Sequence, residues 1–456
     1  MNREERLATG KLLPLIFSMS LPAIVAQFIN LLYNIVDKIY IGHIPEVGSD
    51  ALAGIGLTSS IIILISAFAQ FVSGGGAPRA AIALGQGERE RAEKILSNGV
   101  SMLIFFAVIC VGVTYAVKEP LLMLIGASEV TFPYAVQYLD IYLIGTIFVY
   151  ITVGLNTFIT AQGRSGIAMV SVLIGAISNI ILDPIFIFLF NMGVGGAALA
   201  TVISQGISAV WILSFLCSKK KATLRIRPEL MKPEGKIIGS ILSLGIAPFV
   251  MASTESFVGF VLNSGLQKYG GDIYVSALTV MQSAMQTVGV PLGGFIQGIT
   301  PIISYNYGAG NKKRVKDAVK ITFLVMTTFN LVMFLLMILF PRTVASVFAS
   351  DEALIQVVGD LMPMFLAGMT IFGLQRSCQT TFVALGQAGI SLFIALLRKI
   401  ILLIPLALIL PKFVQPAVNG VYLAEPIADA VAALTCTVIF IFVFRRVMRA
   451  TDKVHE

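Results

Sequence analysis

The feature that most restricts this chain is a succession of apolar stretches too long for any soluble fold. The first, "LLPLIFSMSLPAIVAQFINLLYNIVDKIYIG", runs from Leu12, and twelve such segments can be drawn between residues 14 and 444 of the 456. Most hold the roughly 20 helical residues needed to cross a hydrocarbon core of about 30 Å. Charged residues are 12% of the chain, against roughly 25% in soluble domains. Backbone groups without water must find partners inside their own segment, so each stretch is expected to be a helix. Short alternating strands of the β-barrel kind are missing, and the first segment is too long and continuous for a cleavable signal. The expected fold is all-α: a polytopic membrane protein with twelve transmembrane helices in two pseudo-symmetric six-helix bundles around a central cavity.

The two bundles follow from an internal repeat. "GGAPRAAIALGQGERERAEKI" from Gly75 and "GITPIISYNYGAGNKKRVKDA" from Gly298 align at an offset of 223, placing Gly75, Pro78, Gly85, Gly87 and Arg91 on Gly298, Pro301, Gly308, Gly310 and Arg314. The same offset lays "AQGRSGI" from Ala161 on "ALGQAGI" from Ala384. Six helices per half keep both halves in one orientation, related by an axis along the membrane normal. Residues 1–217 form the expected N-lobe, 218–236 a cytoplasmic linker and 237–456 the C-lobe. With the N-terminus inside, twenty-three Lys and Arg fall in cytoplasmic segments and four outside, so both termini are expected in the cytoplasm. The net charge of +8 is thereby explained by topology and implies no nucleic acid.

Enzymatic chemistry is not expected. Cys110, Cys217, Cys378 and Cys436 lack metal-ligand spacing and read as small apolar fillers. The two histidines, His43 and His455, stand at a helix end and in the tail, and no catalytic set or cofactor motif is present.

Charged residues inside apolar helices carry the functional signal, because they are costly there and mark pathways or relays. Counting about 1.5 Å per residue from the expected outer ends puts Asp37 roughly 8 Å deep, Asp183 about 10 Å, Thr201 about 9 Å and Tyr138 about 8 Å. Asn179, four residues before Asp183, shares its helix face. These five groups from four helices come to similar depth and could surround one small site for a cation or a shared proton. Structural polar contacts are the alternative reading. Pro184, which interrupts the helix ladder beside Asp183, favours the site. The second half is not a copy, since Phe260 stands opposite Asp37 and Ala424 opposite Thr201. Its buried acid is Glu255, with Gln282 and Arg398 at similar depth, and Glu255 either pairs with Arg398 or faces a substrate. Asp140, Asp360, Glu425 and Asp429 lie nearer outer ends and are expected to be wet, while Arg376 is expected to snorkel inward. Met281, Met285, Gln282 and Gln286 are candidate liners of an adaptable cleft.

"LYNIVDKIYIGH", "GGGAPRAAIALGQGERERA", "LLMLIGASEVTFPYAVQYL" and "PIISYNYGAGNKKRVKDAVK" together resemble the multidrug and toxic compound extrusion (MATE) transporters, over nearly the whole chain. The resemblance implies a V-shaped pair of lobes and export of drugs or toxins driven by inward Na⁺ or H⁺ movement. It implies a cation-coupling site, for H⁺ or a bound Na⁺, at Asp37, Asn179, Asp183 and Thr201, with Tyr138 beside it and Asn156 as the family's helix 4 asparagine. It matches Glu255 to the family's helix 7 carboxylate. "FLAGMTIFGLQRS" lacks the aspartate that some members carry in helix 10, which shifts the expected coupling to the first lobe. The expectation is a monomeric, lipid-embedded antiporter of amphipathic, cationic compounds by alternating access, with no cofactor beyond the coupling ion. The rival is a flippase of lipid-linked precursors, which would line its cleft with several arginines.

Overall fold

The computed structural model describes residues 3–450 and is helical almost throughout; Lys453 and His455 lie outside the described residues. After a short helix, Arg3–Thr9, come the spans α1 (Leu12–Gly42), α2 (Gly48–Gly85), α3 (Arg89–Ile125), α4 (Phe132–Ile144 with Thr146–Ala161), α5 (Ser165–Leu189) and α6 (Gly193–Leu216). The second half supplies α7 (Gly235–Tyr269), α8 (Asp272–Gly308), α9 (Lys312–Leu339), α10 (Glu352–Leu366 with Met369–Ala384), α11 (Ala388–Lys412) and α12 (Ala417–Arg449). Ten are unbroken helices long and apolar enough to cross a membrane. The two composite spans bend by 59° in α4 and 47° in α10, which makes twelve in all. Three helices widen into π turns, over Phe71–Gly76, Ile185–Leu189 and Leu397–Leu403. Such widenings concentrate at functional positions, and all three adjoin features described below.

The halves meet along a seam that repeats the sequence symmetry. A Cβ on Gly85 would stand 2.0 Å from the Tyr305 carbonyl oxygen, and a Cβ on Gly308 would stand 2.0 Å from the Ile82 carbonyl oxygen. Gly85 and Gly308 are equivalent at the offset of 223, as are Ile82 and Tyr305, so the two contacts are images of each other. Only glycine lets the backbones approach so closely. Nearby, Phe249 of α7 stacks on Phe71 of α2 with ring centroids 4.4 Å apart.

One apolar core, containing Ile16, Ala80, Ile241, Ile302 and Tyr305, runs across both halves at this seam. Away from it, Ile41, Tyr138 and Ala197 pack in a core of the first half alone, and Leu262, Met281 and Met362 in a core of the second. The halves are therefore joined toward the loops after α2 and α8 and packed separately at their far ends.

The polar linker is docked. Gln162 Oε1 accepts the Thr223 and Leu224 amides at 2.8 and 2.9 Å. Buried Glu93 lies within 3.7 Å of Arg225 and 3.6 Å of Arg227. All four cysteines are free thiols, three of them buried and Cys217 exposed.

Candidate functional site

The first half brings Asp37, Asp183, Asn179, Thr201 and Tyr138 together. Asp37 of α1 lies beside Asp183 of α5. Asn179 Nδ2 donates to Asp183 Oδ1 at 3.1 Å and approaches Thr201 Oγ1 at 3.5 Å. Tyr138 sits beside Asp37 and Thr201. Three oxygens in this pocket, Asp37 Oδ1, Asp183 Oδ2 and Asn179 Oδ1, are buried without a partner. Pro184 ends the regular helix directly after Asp183, and the π turn follows it.

Tyr33, which sequence reasoning missed, also lies next to Asp37. It is four residues before Asp37, on the same helix face, so the signal was readable. Lys38 is exposed and takes no part. Asn156 sits apart from the acids: its amide donates to the Ala168 carbonyl at 3.2 Å and it accepts from Ser171 at 3.1 Å. It shares with Asn179 and Thr201 only the wall of a polar cavity of about 340 Å³ inside the first half.

In the second half the expected pairings are redistributed. Glu255 does pair with a base, but with Lys399 and not Arg398. Its side chain remains 72% exposed, one turn beyond Met251 on α7. Arg398 donates from Nη2 to Glu425 Oε1 at 2.7 Å and from Nε to Asp429 Oδ1 at 2.5 Å. Glu425 and Asp429 are thus not wet as expected; both are buried. An unscreened guanidinium in this position needs counter-charge, and α12 supplies it. The π turn carries Arg398 and Lys399 into two different pairs. Asp140 is ion-paired with Lys118, and Asp360 is exposed.

A second cavity, about 410 Å³, lies between the halves, walled by α2, α4, α7, α8 and α10. The candidate liners of α8 do not form it. Met281 is fully buried in the second half's own core and Met285 packs against that core. Gln282 and Gln286 fall on the same helical stripe as the lining residues Gly289 and Gly293 but lie further along, outside the cavity wall. Arg376 was expected to snorkel inward; instead it lines this cavity, near Phe372, Gln375 and Gln379.

A family model described as MatE matches the chain twice, over residues 22–185 and 247–409. The chain is 25% identical over 437 residues to the multidrug export protein MepA of Staphylococcus aureus (strain N315), covering 96% of this chain and 95% of that protein. It is 25% identical over 414 residues to MepA of Staphylococcus haemolyticus (strain JCSC1435), covering 91% and 90%. Among solved structures it resembles a MATE transporter in the bent conformation, with a TM-score of 0.92 at 21% identity over 99% of both chains. An outward-facing multidrug resistance MATE family transporter gives 0.88 at 22%, again over 99% of both.

Proposed function

The chain belongs to the MatE family, and from that premise we propose that it is a cation-coupled exporter of amphipathic organic compounds, working by alternating access in a bacterial inner membrane with both termini in the cytoplasm. The observation that carries the coupling is the contact between Asp37 and Asp183 amid three buried oxygens that lack partners. Ionised carboxylates only accept hydrogen bonds, so two side by side call for a proton or a cation between them. Like charges this close cannot both ionise cheaply, and the pair titrates as one unit. A Na⁺ ion would meet the same need, since carboxylate, amide and hydroxyl oxygens are the hard donors it takes.

The ion's leverage is positional. Asp37 stands on α1, the helix that packs on α8 of the other half: a Cβ on Gly298 would lie 2.5 Å from Ser20 Cα. Capture of a cation draws α1 toward α5, and α1 also helps close the seam, so the ion has different affinities for the two states of the cleft. Such differential affinity is what biases a two-state equilibrium. The central cavity between the halves is the compartment for the cargo. A flippase reading is less favoured, because Arg376 is the one charged residue lining that cavity among the described residues, too few for a lipid pyrophosphate.

Efflux of ethidium and of a zwitterionic fluoroquinolone from cells tests the coupling. Asp37→Asn and Asp183→Asn are each expected to abolish energised efflux at matched expression. Wild-type efflux of both compounds in either variant would refute the role. Efflux from proteoliposomes under an imposed pH gradient, then an imposed Na⁺ gradient, identifies the ion.

A further inference from the structure

The acids that led sequence reasoning to a cationic cargo do not line the central cavity. Asp37 and Asp183 are enclosed in the first half, and Glu255 is already paired with Lys399. The fixed charge in the wall is Arg376, eight residues from the end of α10 and so roughly 12 Å along the helix from its loop. Charge near the middle of a membrane is costly and is retained where it works.

Arg376 forms no ion pair and no hydrogen bond among the described residues. Its one recorded contact is with the Phe372 ring, 5.5 Å from the guanidinium carbon. Arg398 lies at 4.4 Å from the same ring. The two carboxylates nearby, Glu425 and Asp429, receive Arg398 Nη2 and Nε, while Asp429 Oδ2 stays buried without a hydrogen bond and attracts Arg376 through space, not by contact. A guanidinium carries five N–H donors and no acceptor. In Arg376 they face a cavity whose remaining polar wall is neutral: Gln70, Gln297, Gln375, Gln379, Thr300 and Thr380. The apolar part is supplied by Met251, Phe372 and Ile296.

We propose that the central cavity binds amphipathic compounds through an anionic group, a carboxylate or sulfonate, seated on Arg376, with the compound's apolar body against Phe372, Met251 and Ile296. Planar carboxylates match the guanidinium fork and form two parallel charge-assisted hydrogen bonds. Zwitterions qualify through their anionic end. A simple monocation is repelled by Arg376 and is held by its apolar contacts alone. This deepens the export reading, on which the role of such compounds as cargo rests.

A pair of probes with one ring and opposite charge separates the possibilities: 2-naphthoate and 2-naphthylmethylammonium, titrated by calorimetry into the purified full-length protein in nanodiscs. Wild type is expected to bind naphthoate more tightly than the ammonium. Arg376→Gln is expected to weaken naphthoate by about tenfold or more, the usual consequence of removing a charge-assisted pair, and to leave the ammonium unchanged or tighter. Arg376→Lys restores part of the naphthoate affinity, which a merely misfolded glutamine variant would not explain. Equal naphthoate affinity in wild type and Arg376→Gln overturns the proposal, as does stronger wild-type binding of the ammonium. Transport in proteoliposomes reads the parent hypothesis separately. A protein that binds naphthoate through Arg376 yet moves neither probe keeps the site and loses the export function.

Discussion

Alanine at Gly85 tests whether the glycine seam sets the balance between the two faces of the transporter. A methyl carbon there stands 2.0 Å from the Tyr305 carbonyl oxygen and 2.8 Å from the Ala309 nitrogen. Ordinary contact requires about 3.4 Å, so the backbones must part by about 1.4 Å. Neither obstacle is a side chain that can swing away. Overpacking of this kind costs typically about 1–3 kcal/mol, and the cost falls on the closed-seam state alone. In a two-state equilibrium that changes the ratio of states by about 5–150-fold. Spin labels at the exposed positions Glu90 and Lys313, in a background lacking the exposed Cys217, read the separation by electron–electron resonance. The long-distance population is expected to grow at least several-fold while energised efflux falls. Gly308→Ala, whose methyl carbon would lie 2.0 Å from the Ile82 oxygen, is expected to act in the same way. An unchanged distance distribution in a variant that melts at the wild-type temperature would refute the reasoning.

Three further outcomes follow from contacts described above or adjoining them. Arg398→Met leaves Glu425 and Asp429 buried without their cation and is expected to cost about 3–5 kcal/mol, read as a lower melting temperature in detergent. Adding Glu425→Gln and Asp429→Asn should recover much of the loss, and no recovery would show that the pair is not what Arg398 holds. Arg314 donates to the Gly10 carbonyl at 2.8 Å, the Leu7 carbonyl at 3.1 Å and Asn306 at 3.1 Å. Arg314→Ala is expected to loosen the N-terminal helix, at a cost of about 1–3 kcal/mol, and to speed tryptic cleavage at Lys11. Gln162→Ala removes the acceptor for two linker amides, and cleavage after Lys219, Lys220 and Lys221 should quicken; an unaltered digest means the linker is held elsewhere.

Most of the architecture was legible because its determinants are local or periodic. Span length and the repeat of Gly85 on Gly308 are written in one dimension. The first-half pocket was legible for a related reason: helix rise converts sequence distance into depth, and Asp37, Tyr138, Asn179, Asp183 and Thr201 agree in depth. Depth says nothing of azimuth, and there the reading failed. Glu255 and Arg398 share a level but not a direction, so Lys399, next in the chain, became the partner of Glu255. Glu425 and Asp429 seemed near enough to an outer end to be hydrated, yet α12 turns both toward Arg398. Met281 illustrates the same limit, since its side of α8 faces the second half's core. Arg376 was misplaced because snorkelling and facing an internal cavity satisfy the same need for water, and only packing distinguishes them.

The inequality of the two halves follows from how each offsets its buried acids. At the offset of 223, Arg398 falls on Gly175, Glu425 on Val202 and Asp429 on Gly206. The second half therefore placed its charged network where the first half has small or apolar residues, and it supplied acids and bases together. Arg398 and Lys399 take up Glu425, Asp429 and Glu255, two bases against three acids, with Asp429 Oδ2 left without a hydrogen bond. Among the described residues no base of the first half bonds Asp37 or Asp183, and oxygens of both are unpartnered. On the coupling proposed above, its electrostatic balance comes from outside, as a proton or a metal cation. A site that supplies its own bases responds less to an ion gradient than one that has none. On that same proposal, the driving force enters through the first half, and the second is the body against which α1 moves. Neutralising Lys399 together with Glu255 is accordingly expected to leave the ion dependence of efflux unchanged, and a changed ion dependence in that double variant would place coupling in both halves.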